Sequence, residues 1–115
     1  MPKVRTDWIE VIVDAGEPTT GWQVMLDLRV PNSSGGGNTP AILKLSTGAG
    51  TLQVGLPTVN GPDFGIGTNV PKSMMNFTPR NYVFDVKRID GGRDEDLVGT
   101  VDYRFDPPIS EQGVA

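Results

Sequence analysis

The sequence contains no cysteine and no histidine. Without cysteine there is no disulfide framework, no thiolate nucleophile, no Cys-ligated zinc and no iron–sulfur cluster. Without histidine the usual general base, proton shuttle and imidazole metal ligand are missing. Aromatic residues are scarce, at 7% of 115 residues, and hydrophobic residues reach only 37%. A chain of this length is one domain, and its core is correspondingly thin. Positive charge is also short, with 10 Lys and Arg against 14 Asp and Glu, for a net charge of -4. A nucleic-acid surface needs clustered cations to neutralise phosphates. Here the cations are scattered, and the adjacent pair Lys87-Arg88 runs into the acidic stretch from Asp90 to Asp96. Neither nucleic acid nor an anionic membrane is therefore an expected partner. Apolar runs are a few residues long, as in Val24-Met25-Leu26, far from the roughly 18 residues of a membrane span. The start, Met1 to Trp8, has no apolar segment of signal-peptide type. The expectation is a protein made and used without Sec export.

What the sequence has in quantity is glycine (15) and proline (10), which punctuate short stretches of period-two alternation. Trp22, Val24, Leu26, Leu28 and Val30 alternate with Gln23, Met25, Asp27 and Arg29. Successive strand side chains point to opposite faces, so this register buries the even set. Pro31 removes a ladder donor and ends the strand. Tyr82, Phe84 and Val86 alternate with Asp85 and Lys87. Beyond the polar loop Asp90 to Asp96, Leu97, Gly99, Val101, Tyr103 and Phe105 alternate with Val98, Thr100, Asp102 and Arg104. Two alternating runs around a Gly-rich polar loop predict a β-hairpin.

A first strand is expected over Thr6 to Val13, with Ile9, Val11 and Val13 on one face and Trp8, Glu10 and Ile12 on the other. Residues Asp14 to Gly21 form a loop by composition, and Asn32 to Thr39, with three consecutive glycines, a flexible one. Ala41 to Leu45 and Thr51 to Leu56 are further strands around the Gly48-Ala49-Gly50 turn, and Phe64 to Ile66 a short one. The helix candidate is Pro71 to Phe77, one to two turns at most, with Met74, Met75 and Phe77 toward the core. Six or seven short strands predict an all-β fold, a two-layer antiparallel β-sandwich of Ig-like or jelly-roll-like type. The domain covers residues 1–105, with 106–115 as a flexible C-terminal tail.

Four carboxylates lie within the seven residues Asp90 to Asp96. Calcium favours such oxygen clusters, but the ligand spacing of an EF-hand loop is absent, and a solvated hairpin tip whose charges deter edge pairing is the simpler reading. Gly48-Ala49-Gly50 and Gly65-Ile66-Gly67 lack the following helix of a phosphate loop and read as turn glycines. Asp27, Asp85 and Asp102 sit on expected exposed faces, with no cleft to make them a hydrolytic pair, and serine has no histidine partner. No catalytic residue, metal site or cofactor is expected. Trp22 shares a face with core residues. Trp8 shares its face with Glu10 and is expected to be half exposed, an interface anchor with Ile12. The expected partner-facing residues are thus Trp8, Glu10, Ile12 and, from the tail, Ile109, with the tail or an unpaired edge docking alongside.

Three segments carry a family likeness. Pro79-Arg80-Asn81-Tyr82-Val83-Phe84-Asp85-Val86-Lys87-Arg88 with Ile89-Asp90-Gly91-Gly92, and then Asp96-Leu97-Val98-Gly99-Thr100-Val101, resembles a hairpin motif of small bacteriophage and prophage proteins. Gly21-Trp22-Gln23-Val24-Met25-Leu26-Asp27-Leu28-Arg29 is similar to the second strand of the same family. Those proteins are similar to the N-terminal β-sandwich of phage baseplate upper proteins, which attaches receptor-binding modules to a tail. Asn81 stands where the family has glycine, the tip loop is longer and more acidic, and residues 32–77 match only as alternation and turns. The resemblance implies no catalytic residues. It implies a virion structural protein, assembled in the host cytoplasm. Its position would be a tail or baseplate adaptor contacting other virion proteins, with copies in a symmetric homo-oligomeric assembly. A capsid decoration (cement) protein is the alternative within the class. A carbohydrate or host-receptor binding module using Trp8 and Tyr103 is the alternative outside it.

Overall fold

The computed structural model describes residues 2–31 and 39–107. Among the described residues, seven strands form two antiparallel sheets packed as a sandwich: β1 (Val11–Asp14), β2 (Val24–Arg29), β3 (Ala41–Ser46), β4 (Leu52–Thr58), β5 (Gly61–Thr68), β6 (Arg80–Arg88) and β7 (Glu95–Phe105). One sheet has the order β1-β5-β4 and the other β3-β2-β6-β7. Three hairpins, β2–β3, β4–β5 and β6–β7, supply most of the pairing, and β1 returns to pair with β5. Ala41–Ser46 and Leu52–Thr58 are neighbours in sequence but lie in different sheets. The turn of Gly48 to Gly50 therefore carries the chain from one layer to the other.

The alternation in β2 is realised residue by residue: Val24, Leu26 and Leu28 are fully buried, while Met25, Asp27 and Arg29 lie on the other side. Tyr82, Phe84 and Val86 face inward from β6, and Leu43 and Leu45 from β3. Val13, Leu52 and Ile66 answer them from the opposite sheet, and Val4, Trp8, Val70 and Met75 close the core from the connections. In β7 the expected two faces blur, since Leu97 and Val98 both pack against the core. The ladder shifts register on either side of Val86, and such a bulge rotates the side chains that follow it. Pro57 lies in β4 and is exposed, on an edge strand where a missing ladder donor does no harm.

Several expectations are corrected. The short helix expected at Pro71 to Phe77 is reduced to a single 3₁₀ turn over Lys72–Met74. A run that short does not repay helix nucleation. Met75 is buried and Phe77 packs edge-on against Tyr82 and Phe105 at 5.3 and 5.1 Å, but Met74 is exposed. The first strand is shorter than expected and begins at Val11. Ahead of it, Trp8 makes an isolated bridge to Val70 and the Glu10 backbone bonds to Thr68. Gly65 and Gly67 are not turn glycines; both lie inside β5. A Cβ at Gly65 would sit 2.8 Å from the Leu56 carbonyl, and one at Gly67 2.8 Å from the Glu10 carbonyl. The glycines let the flanking backbones approach, which a side chain would prevent.

The chain ends of the sandwich are tied together. Lys3 forms a parallel bridge with Asp106, the Val4 N–H donates to the Asp106 carbonyl at 2.9 Å, and the Asp106 N–H donates to the Pro2 carbonyl at 3.0 Å. Asp106, expected as the start of the tail, therefore belongs to the folded domain. The rest of the tail from Pro108, including Ile109, and the glycine-rich loop 32–38 lie outside the described residues.

Candidate interaction surface

Trp8 is 2% exposed, which overturns its expected role as a half-exposed anchor. Its ring meets Phe105 edge-on at 4.9 Å and Tyr103 at 5.7 Å. Its Nε1–H donates to Glu10 Oε1 at 2.6 Å, and the Tyr103 hydroxyl donates to the same oxygen. Both backbone groups of Trp8 pair with Val70, at 2.9 and 3.0 Å. The indole thus pins the N-terminal segment across the sandwich onto β7. With Trp8 turned in, its neighbours of opposite parity turn out: Ile9 is 65% exposed and Val11 45%. Val13, of the same parity as Ile9 and Val11, is nevertheless buried, because the pairing with β5 shifts register between Val11 and Val13. Trp8-Ile9-Glu10-Val11-Ile12-Val13 is apolar on both parities, so no sequence signal chooses between them.

Glu10 and Ile12, the other two expected contact residues, both line clefts. One cleft of about 390 Å³ is bounded by Pro2, Asp7, Trp8, Ile9, Glu10 and Tyr103. A second, of about 350 Å³, has Ile12 to Ala15, Glu17 and Trp22 on one side and Glu95 to Val98 on the other. Ile12 is partly buried against the core. Glu10 holds its carboxylate on the rim of the first cleft as a shared acceptor for Trp8 and Tyr103. Asp7, on the same rim, accepts the Lys72 N–H at 2.7 Å and so caps the 3₁₀ turn.

The acidic tip is organised by cations from its own hairpin. Arg88 holds Asp90 through two bonds of 2.8 and 2.9 Å, Lys87 reaches Asp94 at 3.0 Å, and Arg93 reaches Glu95 at 3.5 Å. The carboxylates therefore diverge toward three different partners, and no group of three that could hold a metal ion exists among the described residues. The Arg88 guanidinium beside Asp90, helped by the Gln23 N–H, holds that carboxyl well below the usual aspartate range. The hydrogen bond to Asp94 raises Lys87. The Arg88 guanidinium also lies over the Trp22 ring, 4.0 Å from its centroid, a cation–π contact that shields the indole from the side.

On the open face of the four-stranded sheet, Arg29 bonds Asp27 and Asp85, each at 2.9 Å. These two carboxylates are bridged by one guanidinium. Such a trio braces β2 against β6; it does not set an acid beside a base.

Sequence reading did not find Thr19. This loop residue is fully buried. Its hydroxyl donates to the Gly65 carbonyl at 3.0 Å and accepts the Gly55 N–H at 2.6 Å, while its own N–H donates to the Asp63 carbonyl at 2.9 Å. It staples the loop after β1 onto both β4 and β5. A threonine among Pro, Gly and Glu gives no hint of this.

No protein family matches the chain, and neither a curated protein nor a solved structure is significantly similar to it.

Proposed function

We propose that the protein is a structural component of a bacteriophage virion, a tail- or baseplate-associated adaptor that works by protein–protein contact. The observation that carries the contact reading is the pair Ile9 and Val11, 65% and 45% exposed, on and just before edge strand β1. Branched apolar side chains held out to water beside a free sheet edge are what an assembly surface requires. The placement at a tail rests on the likeness of residues 21–29, 79–92 and 96–101 to phage sandwich proteins. A sugar-binding reading is weaker, because Trp8, its stacking platform, is 2% exposed and has no free ring face.

The test is made in phage particles carrying a tagged copy. Gold-labelled particles should show signal at the tail end, while signal over the head would favour the decoration reading. The double variant Ile9→Lys, Val11→Lys should fold normally, since both side chains are exposed, yet be missing from purified particles. Absence of the wild-type protein from particles would overturn the virion assignment. Full incorporation of the double variant would overturn the contact surface.

A further inference from the structure

Two edge strands from different sheets face each other across a cleft. β1 ends the three-stranded sheet and β7 ends the four-stranded one. The first cleft sets Trp8 to Glu10 against Tyr103, and the second sets Ile12 to Ala15 against Glu95 to Val98. The Tyr103 hydroxyl bonds Glu10 and its ring packs on Trp8 across the first cleft, so the groove left open between the two strands is the second cleft. Each strand is paired on one side only, β1 with β5 and β7 with β6. The other edge of each has no strand partner among the described residues. The groove's apolar floor is limited to Ile12, Leu97 and Val98, partly buried against the core, and most of its exposed lining is polar.

The rim of the second cleft is acidic: Asp14, Glu17, Glu95 and Asp96 all line it. The cations nearest to the β7 pair are engaged only at the surface, Arg93 with Glu95 at 3.5 Å and Lys87 with Asp96 at 3.9 Å. Exposed pairs of that kind are worth little and yield readily to a better-placed cation.

We infer that this groove takes an extended segment of a partner protein by strand addition, a segment apolar on one face and rich in Lys or Arg on the other. An unpaired edge supplies main-chain donors and acceptors in register with an incoming strand. Period-two alternation then sends every second side chain of that strand to the apolar floor, leaving the others near the rim. Carboxylates at the rim select cations there, which speeds encounter and rejects acidic strands. The inference deepens the adaptor reading, on which it rests for the partner being a virion protein.

The test uses the purified full chain and a fluorescein-labelled synthetic peptide of about ten residues, the length of a long strand, alternating valine and lysine. Anisotropy should report saturable binding that weakens as salt rises. Amide hydrogen exchange should show new protection in residues 11–14, 95–105 or both. A peptide with glutamate for lysine, and one N-methylated at every second amide, should not bind. The double variant Glu95→Lys, Asp96→Lys replaces exposed residues and keeps the fold, and should bind at least about tenfold more weakly. Equal binding of the N-methylated peptide, protection confined to other segments, or no binding at all would overturn the inference. Concentration-dependent self-association that protects the same segments would replace the basic partner with a second copy. If no peptide binds while the Ile9 and Val11 variant is still lost from particles, the groove fails and the adaptor reading stands. If the peptide binds but the protein is absent from particles, the virion reading fails and the groove stands.

Discussion

Replacing Trp8 separates a core pin from an interface anchor. Trp8→Ala removes an indole that is 2% exposed and packed on Phe105 and Tyr103, and it leaves Glu10 without one of its two side-chain donors. Truncating a buried tryptophan costs about 3–5 kcal/mol. Unfolding entropy per residue, summed over this length, makes each kcal/mol worth about 4 °C in melting temperature, so the fall should be about 12–20 °C. Trp8→Phe keeps a ring but loses the Nε1–H bond to the carboxylate, and should cost about 2 kcal/mol. Ile9→Ala, next door but 65% exposed, should stay within about 0.5 kcal/mol of wild type. Urea unfolding followed by far-UV circular dichroism is the suitable assay, since fluorescence changes when an indole is removed. Running it at two protein concentrations keeps dissociation of an assembly from being mistaken for unfolding. A Trp8→Ala midpoint equal to that of wild type, or an Ile9→Ala loss as large as that of Trp8→Ala, would refute the assignment of Trp8 to the core.

Thr19→Val preserves shape but leaves the Gly55 N–H and the Gly65 carbonyl without the hydroxyl; calorimetry should show a loss of about 2 kcal/mol, against less than half of that for Thr19→Ser. Asp90 is held below the ordinary aspartate value of 3.8, so it contributes stability that is fully present above that pH and is lost as the pH falls below it. Asp90→Asn should therefore flatten the acid limb of the stability profile, measured by urea midpoints from neutral pH downward; an unchanged limb would show that Arg88 does not hold the carboxylate in solution.

Much of the four-stranded sheet is legible in the chain. β2 carries one apolar and one polar face, and burying the apolar one leaves a single register; the β6–β7 hairpin follows the same alternation until the register shifts beside Val86. Where a segment lacks that contrast, the reading fails. Residues 8–13 are apolar on both parities, so the inward choice of Trp8 depends on the bridge to Val70 and on the bulge that follows. Gly65 and Gly67 look like turn residues in one dimension, because nothing local reveals that the Leu56 carbonyl of β4 and the Glu10 carbonyl just ahead of β1 press on them. Thr19 is a loop residue by composition and a buried staple by contact. The acidic tip is read correctly as a charged hairpin end, but its pairing with Lys87, Arg88 and Arg93 depends on side-chain reach across the turn.

The glycine and proline punctuation and the period-two alternation determine by themselves a small all-β fold of short strands, and the absence of cysteine and histidine removes thiol and imidazole chemistry from it. These are local properties, and each strand face needs only its own residues to declare itself. Tertiary structure alone decides that β3 and β4 part into different sheets, that β1 pairs with β5, and that β1 and β7 come to flank one acidic-rimmed groove. Those outcomes depend on which apolar faces meet across the core. That is a matter of packing between segments well separated in sequence, about 50 residues for β1 and β5 and about 80 for β1 and the start of β7, and no pattern within either segment encodes it.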